Sequence, residues 1–169
     1  PKLLTIAAVH EIQNATLVAY PVSREKGKSI AAEIASSFIK RSQKKMPLVF
    51  PMVLEEDLLK NAWRLAISKL VKAIKNGEKV VFLAQGDVSL FSTGSYVLLG
   101  VKSRFPDLKI RIIPGITSFS LAAALGQWPL SLKNDQLLIL STPDDPNDLI
   151  RLLKEVRYSG RVLVLMKLG

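Results

Sequence analysis

Cysteine is absent from this chain, so neither a disulfide framework nor thiolate chemistry can be built from it. The absence fits a reducing compartment, and a cytoplasmic location is the expectation. Histidine occurs once, at His10. A zinc site would have to be made almost wholly of carboxylates, so no metal centre is expected. No apolar run approaches the ~20 residues that a membrane-spanning helix requires. The opening Pro1-Lys2-Leu3-Leu4 lacks the charged, apolar and cleavable regions of a signal peptide in their usual order. Aromatic residues make up only 7% of the chain, with no stacking or groove-reading motif, which argues against nucleic acid as a partner.

What is present reads as globular. The 169 residues are 49% apolar and 22% charged, enough to bury a core in one ordinary domain or two small ones. The net charge is +10, from 24 basic and 14 acidic residues. The excess is concentrated: Arg24, Lys26, Lys28, Lys40, Arg41, Lys44 and Lys45 face only Glu25 and Glu33 over the same stretch. Such a segment attracts polyanions, whether nucleic acid, a lipid surface or a multiply carboxylated metabolite. Equally, these side chains could simply solvate a helix and its loop.

Short apolar runs alternate with amphipathic stretches. Thr16–Tyr20 reads as a buried strand ended by Pro21, and Ser29 caps a helix with Ile30, Ile34 and Phe38 inward. Leu48-Val49-Phe50 is a short extended piece. The clearest helix spans Asp57 to Asn76, with Leu59, Trp63, Ala66, Leu70 and Ile74 on one face and Gly77 as its stop. Lys79–Ala84 follows without polar alternation, as in a parallel strand covered on both faces. Further strands are expected at Ile110–Ile113, Gln136–Leu140 and Arg161–Met166. Helices are expected at Leu3–Ile12, Ser118–Leu125 and Pro146–Glu155, the last capped by Asp145. This order predicts an α/β fold, with Pro114-Gly115 as the break between lobes 1–114 and 115–169.

In open α/β sheets, ligands bind beyond the carboxyl ends of the strands. Two turns are expected there. In Gln85-Gly86-Asp87 the glycine allows close backbone approach, and Asp87 offers a carboxylate to an amine, a hydroxyl or the chain's own backbone; a plain turn is the simpler alternative. In Pro114-Gly115-Ile116-Thr117-Ser118, Thr117 or Ser118 would cap the next helix and leave N–H groups for polar ligand atoms. His10 is expected to face solvent, Trp63 and Phe38 to belong to the core, and Asp144 and Asp145 to a turn and a cap. Composition and spacing alone stop at an α/β enzyme-like protein with a polar site at one sheet edge.

At these turns the sequence resembles the tetrapyrrole methylase family, in most detail its branch acting at C(20). Pro1–Thr5 resembles the tail of the family's opening motif. Val18-Ala19-Tyr20-Pro21 and Pro47–Met52 resemble segments of the C(20) branch. Leu83–Asp87 with Phe91-Ser92-Thr93 resembles the Gly-Asp-Pro loop and its continuation. Ile112–Ser120 is the strongest match, and Val164–Lys167 resembles a later strand whose methionine lies near the cofactor.

The resemblance implies a homodimer of two α/β lobes, with a mostly parallel N-terminal sheet, a mixed C-terminal sheet and S-adenosylmethionine in the cleft between lobes. The implied cofactor contacts are Gln85, Gly86, Asp87, Leu90, Thr117, Ser118 and Met166. The implied reaction is C-methylation of precorrin-2, with or without cobalt, at C(20), with an anionic tetrapyrrole as substrate and no catalytic base nominated. Alternatives are another corrin position, uroporphyrinogen, diphthine or ribosomal RNA as acceptor, or a non-catalytic polyanion-binding protein. Three departures stand out: the opening glycine-rich loop is absent, Val88 replaces a proline and so loosens one turn, and roughly 60 residues are expected to follow Gly169.

Overall fold

The computed structural model describes residues 1–53 and 55–167; Gly169, the end assigned to the second lobe, lies outside them. The chain divides into two compact units, Pro1–Thr117 and Ser118–Gly169.

In the first unit, α1 (Ile6–Asn14) leads into β1 (Leu17–Val22), then α2 (Ile30–Ala35) with a 3₁₀ turn at Ser36–Phe38, and β2 (Lys44–Val49). After these come α3 (Glu56–Lys75), β3 (Val80–Phe82) and α4 (Thr93–Arg104). The strands form one parallel sheet in the order β2-β1-β3. β1 is central and apolar on both faces, as a covered parallel strand must be. Leu17 and Ala19 pack with Leu48, Phe50 and the inner faces of α3 and α4. Val18, from the opposite face, packs with Ile12 of α1, Ala31 and Ala35 of α2, and Leu83. Two helix layers therefore sandwich the sheet.

β1 runs through Pro21 instead of stopping before it. The Thr16 carbonyl accepts from Lys44 of β2 and the Val22 carbonyl from Phe50 just beyond it, whereas Ala19 accepts from Leu83 on the other side. By this alternation the nitrogen of Pro21 points to the β3 side, beyond the last residue of β3. Pro47 of β2 points to the open edge by the same count. Neither proline removes a ladder bond, which is why both are tolerated.

Other expectations need correction. Ile110–Ile113 is not a strand; its isoleucines are β-branched but Ile110 and Ile112 are exposed, and without a buried face their propensity does not decide the fold. The inner face of α2 is Ala31 and Ala35, with Ile30 exposed, because small side chains let a short helix sit close on the sheet. In α3 the buried face turns by one position, to Ala66, Ile67, Leu70, Val71 and Ala73. α4 was not anticipated. Its glycines mask the apolar period, and Gly100 faces α3, where a Cβ would lie 2.3 Å from the tip of the Ile67 side chain.

The second unit contains α5 (Ser118–Leu125), β4 (Leu137–Ser141), α6 (Pro146–Ser159) and β5 (Val162–Met166). β4 and β5 are parallel, so among the described residues the second sheet is parallel, not mixed. Asp145 caps α6 by accepting from the Asn147 N–H, and Gly160 ends it at φ 66°. Val156 is the one buried apolar residue of this unit among those described. No helix among the described residues is long and apolar enough to cross a membrane.

Candidate functional site

β3 ends at Phe82, and Leu83 still donates to the Ala19 carbonyl before the chain turns. Gln85 and Gly86 are exposed in that turn, and Gly86 takes φ 69°, a conformation that a side chain disfavours. The Asp87 carboxylate then folds back on the protein. Its Oδ1 accepts from the Ser89 N–H at 2.8 Å and from the Ser89 hydroxyl. Its Oδ2 accepts from the Gly115 N–H at 2.9 Å. Of the roles open to Asp87 in the sequence, the chain's own backbone is the one the structure shows.

That single carboxylate joins the two turns. A Cβ on Gly115 would lie 2.1 Å from the Gly86 carbonyl oxygen, so only glycine lets the turns come this close. The hydrogen bonds from Ser89 and Gly115 hold Asp87 below the usual carboxylate range, against a smaller opposing effect of burial. The rest of the loop is pinned as well. Leu90 N–H reaches the Asp87 carbonyl, the Ser95 hydroxyl donates to the Val88 carbonyl at 2.7 Å, and Ser92 caps α4. Val88 packs over Gly94, where a Cβ would meet it at 2.3 Å. Valine in place of proline therefore leaves a held turn, not a loose one.

The sequence-derived residues fall into two groups. Gln85, Gly86, Asp87, Leu90 and Thr117 belong to the first unit, with the 85–87 and 114–116 turns in contact. In the second unit, the Ser118 hydroxyl lies 3.8 Å from the Met166 sulfur, so the start of α5 and the end of β5 are neighbours. Ser89 was missed, although Asp-x-Ser is itself a signal for a side chain bonding two residues on. Gln43 was missed too: it is buried, its amide donates to the Ile12 and Ala15 carbonyls, and its oxygen accepts from the Lys40 N–H. It ties α1 to the start of β2. His10 is exposed beside Asn14, and Trp63 and Phe38 pack against the core clusters. A groove of the second unit, between Ser120 and Leu130, includes none of the sequence-derived site residues.

A covered parallel sheet with two polar turns locked together beyond a strand end defines an α/β protein with a ligand-binding edge of the open-sheet kind. The comparisons narrow that class. The family model described as Tetrapyrrole (Corrin/Porphyrin) Methylases matches residues 1–169; the chain belongs to the tetrapyrrole methylase family. It is 34% identical over 144 residues to a probable cobalt-precorrin-2 C(20)-methyltransferase of Methanocaldococcus jannaschii, covering 85% of this chain and 60% of that protein. It is 26% identical to the cobalt-precorrin-2 C(20)-methyltransferase of Salmonella typhimurium, covering 99% of this chain and 68% of that one. The crystal structure of the methyltransferase CobJ has the same fold, with TM-score 0.62 at 20% identity, over 97% of this chain and 62% of that one. The chain thus spans about 60% of the length of the first of these relatives.

Proposed function

We propose that this chain is the greater part of a cytoplasmic, homodimeric, S-adenosylmethionine-dependent methyltransferase acting at C(20) of precorrin-2 or its cobalt form. The observation that carries the reading is the Asp87 carboxylate bonded to Gly115. It fixes two glycine-bearing turns against each other and leaves the Gln85 and Gly86 backbone exposed. This donor set suits the amino-acid end of the cofactor: exposed backbone groups can meet its carboxylate and ammonium without a metal or a side-chain nucleophile. Gln85, Gly86, Asp87, Leu90 and Thr117, and in the second unit Ser118 and Met166, are the proposed contacts. Of these, Asp87 acts as a positioning residue.

When bound, the cofactor supplies an already activated methyl group. The chain's part is to orient and to exclude water, so that the attacking carbon, the methyl and the sulfur are collinear. The relatives' names support the C(20) position, and the resemblance of Tyr20-Pro21 and Phe50-Pro51-Met52 to that branch agrees. The test is incubation of the full-length protein with labelled S-adenosylmethionine and precorrin-2, with and without cobalt. Mass spectrometry is expected to show one added methyl and NMR to place it at C(20). Absence of any labelled product, together with no calorimetric binding of S-adenosylhomocysteine, overturns the reading.

A further inference from the structure

The chain reaches Gly115 through a segment with little structure of its own. Leu108 ends the turn after α4, with its N–H on the Phe105 carbonyl at 3.1 Å, and packs against the core. From there to Gly115 the chain forms neither helix nor strand. Among the described residues, positions 109 to 115 exchange no hydrogen bond with another backbone group. Ile110 and Ile112 are exposed, so burial fixes little of this run. A stretch without ladder bonds or a buried face opens locally at small cost.

Among the described residues, two polar side-chain contacts hold the segment to the first unit, four positions apart. The Gly115 N–H meets Asp87 Oδ2 at 2.9 Å. Upstream, Arg111 Nη1 lies 3.1 Å from Oε1 of Glu11 on α1. Glu11 stands on a fixed base. Its neighbour Ile12 is 2% exposed in the core, and the Ile12 carbonyl accepts from the buried Gln43 amide. The Glu11 carbonyl itself accepts the Ala15 N–H that closes the helix. At the other end the tolerance is narrow, because a Cβ on Gly115 would lie 2.1 Å from the Gly86 carbonyl oxygen. The Gly115 N–H therefore reaches Asp87 only if the chain enters the turn along one path.

We propose that Arg111, held by Glu11, is a positioning residue for the cofactor turn. The ion pair sets the path on which residues 112–114 deliver the Gly115 N–H to Asp87, and neither partner is among the proposed cofactor contacts. Both side chains are partly exposed, so the pair contributes a small factor. That factor matters here because the segment has few other constraints and a misplaced turn weakens what it binds. The inference rests on the methyltransferase reading for the ligand of the turn, but the path of the segment can be measured without any cofactor.

Two readouts on the full-length protein test it: amide hydrogen exchange at Gly115 without cofactor, and S-adenosylhomocysteine affinity by calorimetry. Arg111→Met keeps the apolar stem, and Glu11→Gln keeps the shape. Each is expected to speed Gly115 exchange about threefold and to weaken S-adenosylhomocysteine about threefold, with the urea midpoint unchanged. The double variant is expected to lose no more than either single one, because both remove the same contact. Exchanging the charges, Glu11→Arg with Arg111→Glu, is expected to restore both readouts. His10→Gln is the control: His10 lies 3.8 Å from the same Glu11 oxygen but is not tied to the segment, and its loss is expected to change neither.

Unchanged Gly115 exchange in the single variants, additive losses in the double, or no recovery in the exchanged pair would overturn the positioning role. So would losses that track a fall in the urea midpoint, an equal effect of His10→Gln, or faster exchange with undiminished S-adenosylhomocysteine affinity. If the cofactor reading alone fails, the parent protein does not bind S-adenosylhomocysteine, while the Gly115 exchange pattern and its rescue persist.

Discussion

The two edges of the first sheet are built from the same three strands and treat their polar groups in opposite ways. At the amino edge, Glu78 accepts from Lys44 and Thr16, and the Thr16 hydroxyl accepts from the Lys79 N–H. Lys44, Glu78 and Thr16 there join the strand starts, while Lys45 and Lys79 enter none of the ion pairs among the described residues. At the carboxyl edge one carboxylate, Asp87, holds two turns together, and the Gln85-Gly86 turn beside it is exposed. A parallel sheet directs its loops into two separate sets. The proposed site lies at the carboxyl edge, where the Gln85-Gly86 turn is exposed.

The sharpest way to break this contrast is Gly115→Ala. Its Cβ would meet the Gly86 carbonyl at 2.1 Å, so the turns must part. A stability loss of about 2–3 kcal/mol by chemical denaturation is expected, with S-adenosylhomocysteine binding weakened at least about tenfold.

Asp87→Asn comes next. It keeps the shape but loses the charge and presents an amide donor to one of the N–H groups, for about 1 kcal/mol at this partly exposed site. The pH dependence has a definite sign. Asp87 is depressed in the folded protein, so its stabilisation is complete above the unfolded-state carboxylate value and disappears as pH falls through the lower folded value. Urea midpoints measured through the acid range are therefore expected to fall less steeply in Asp87→Asn than in the parent.

Lys26→Gly should act in the other direction. Lys26 takes φ 57° in the turn closed by the Gly27 N–H on the Arg24 carbonyl, and glycine is expected to raise the thermal midpoint by the equivalent of up to about 1 kcal/mol as the left-handed strain is relieved. Thermal denaturation of variant and parent is the measurement, and an unchanged or lower midpoint would show that the turn stores no strain.

Glu78→Gln is the smallest. Glu78 is depressed by the hydrogen bond from Lys44 and then that from Thr16, so it too favours the fold above the ordinary carboxylate range and loses that effect in acid. A slight, salt-sensitive change in the thermal midpoint is expected, with no change in S-adenosylhomocysteine binding by calorimetry. A cofactor defect here would erase the distinction between the edges.

Much of the fold was legible in advance because its signals are local. The period of α3, the Gly77 stop, the unbroken apolar run at β3 and the Ser29 and Asp145 caps each depend on residues within a turn or two of one another. The errors have one origin. Pro21 and the isoleucines at 110–113 were read by propensity, and each outcome was set by tertiary context: the early end of β3, or the lack of a face to bury.

The site divides the same way. Sequence alone singled out the two glycine turns and the carboxylate in the first, although the strand it placed before the second does not form. It also determined that the basic excess would lie between Arg24 and Lys45. Only the tertiary structure decided that Asp87 bonds to Gly115, across 28 positions, and that Lys44 is paired with Glu78. Chain-local patterns specify backbone conformation, whereas the partner of a polar side chain depends on which loops the strand order brings together.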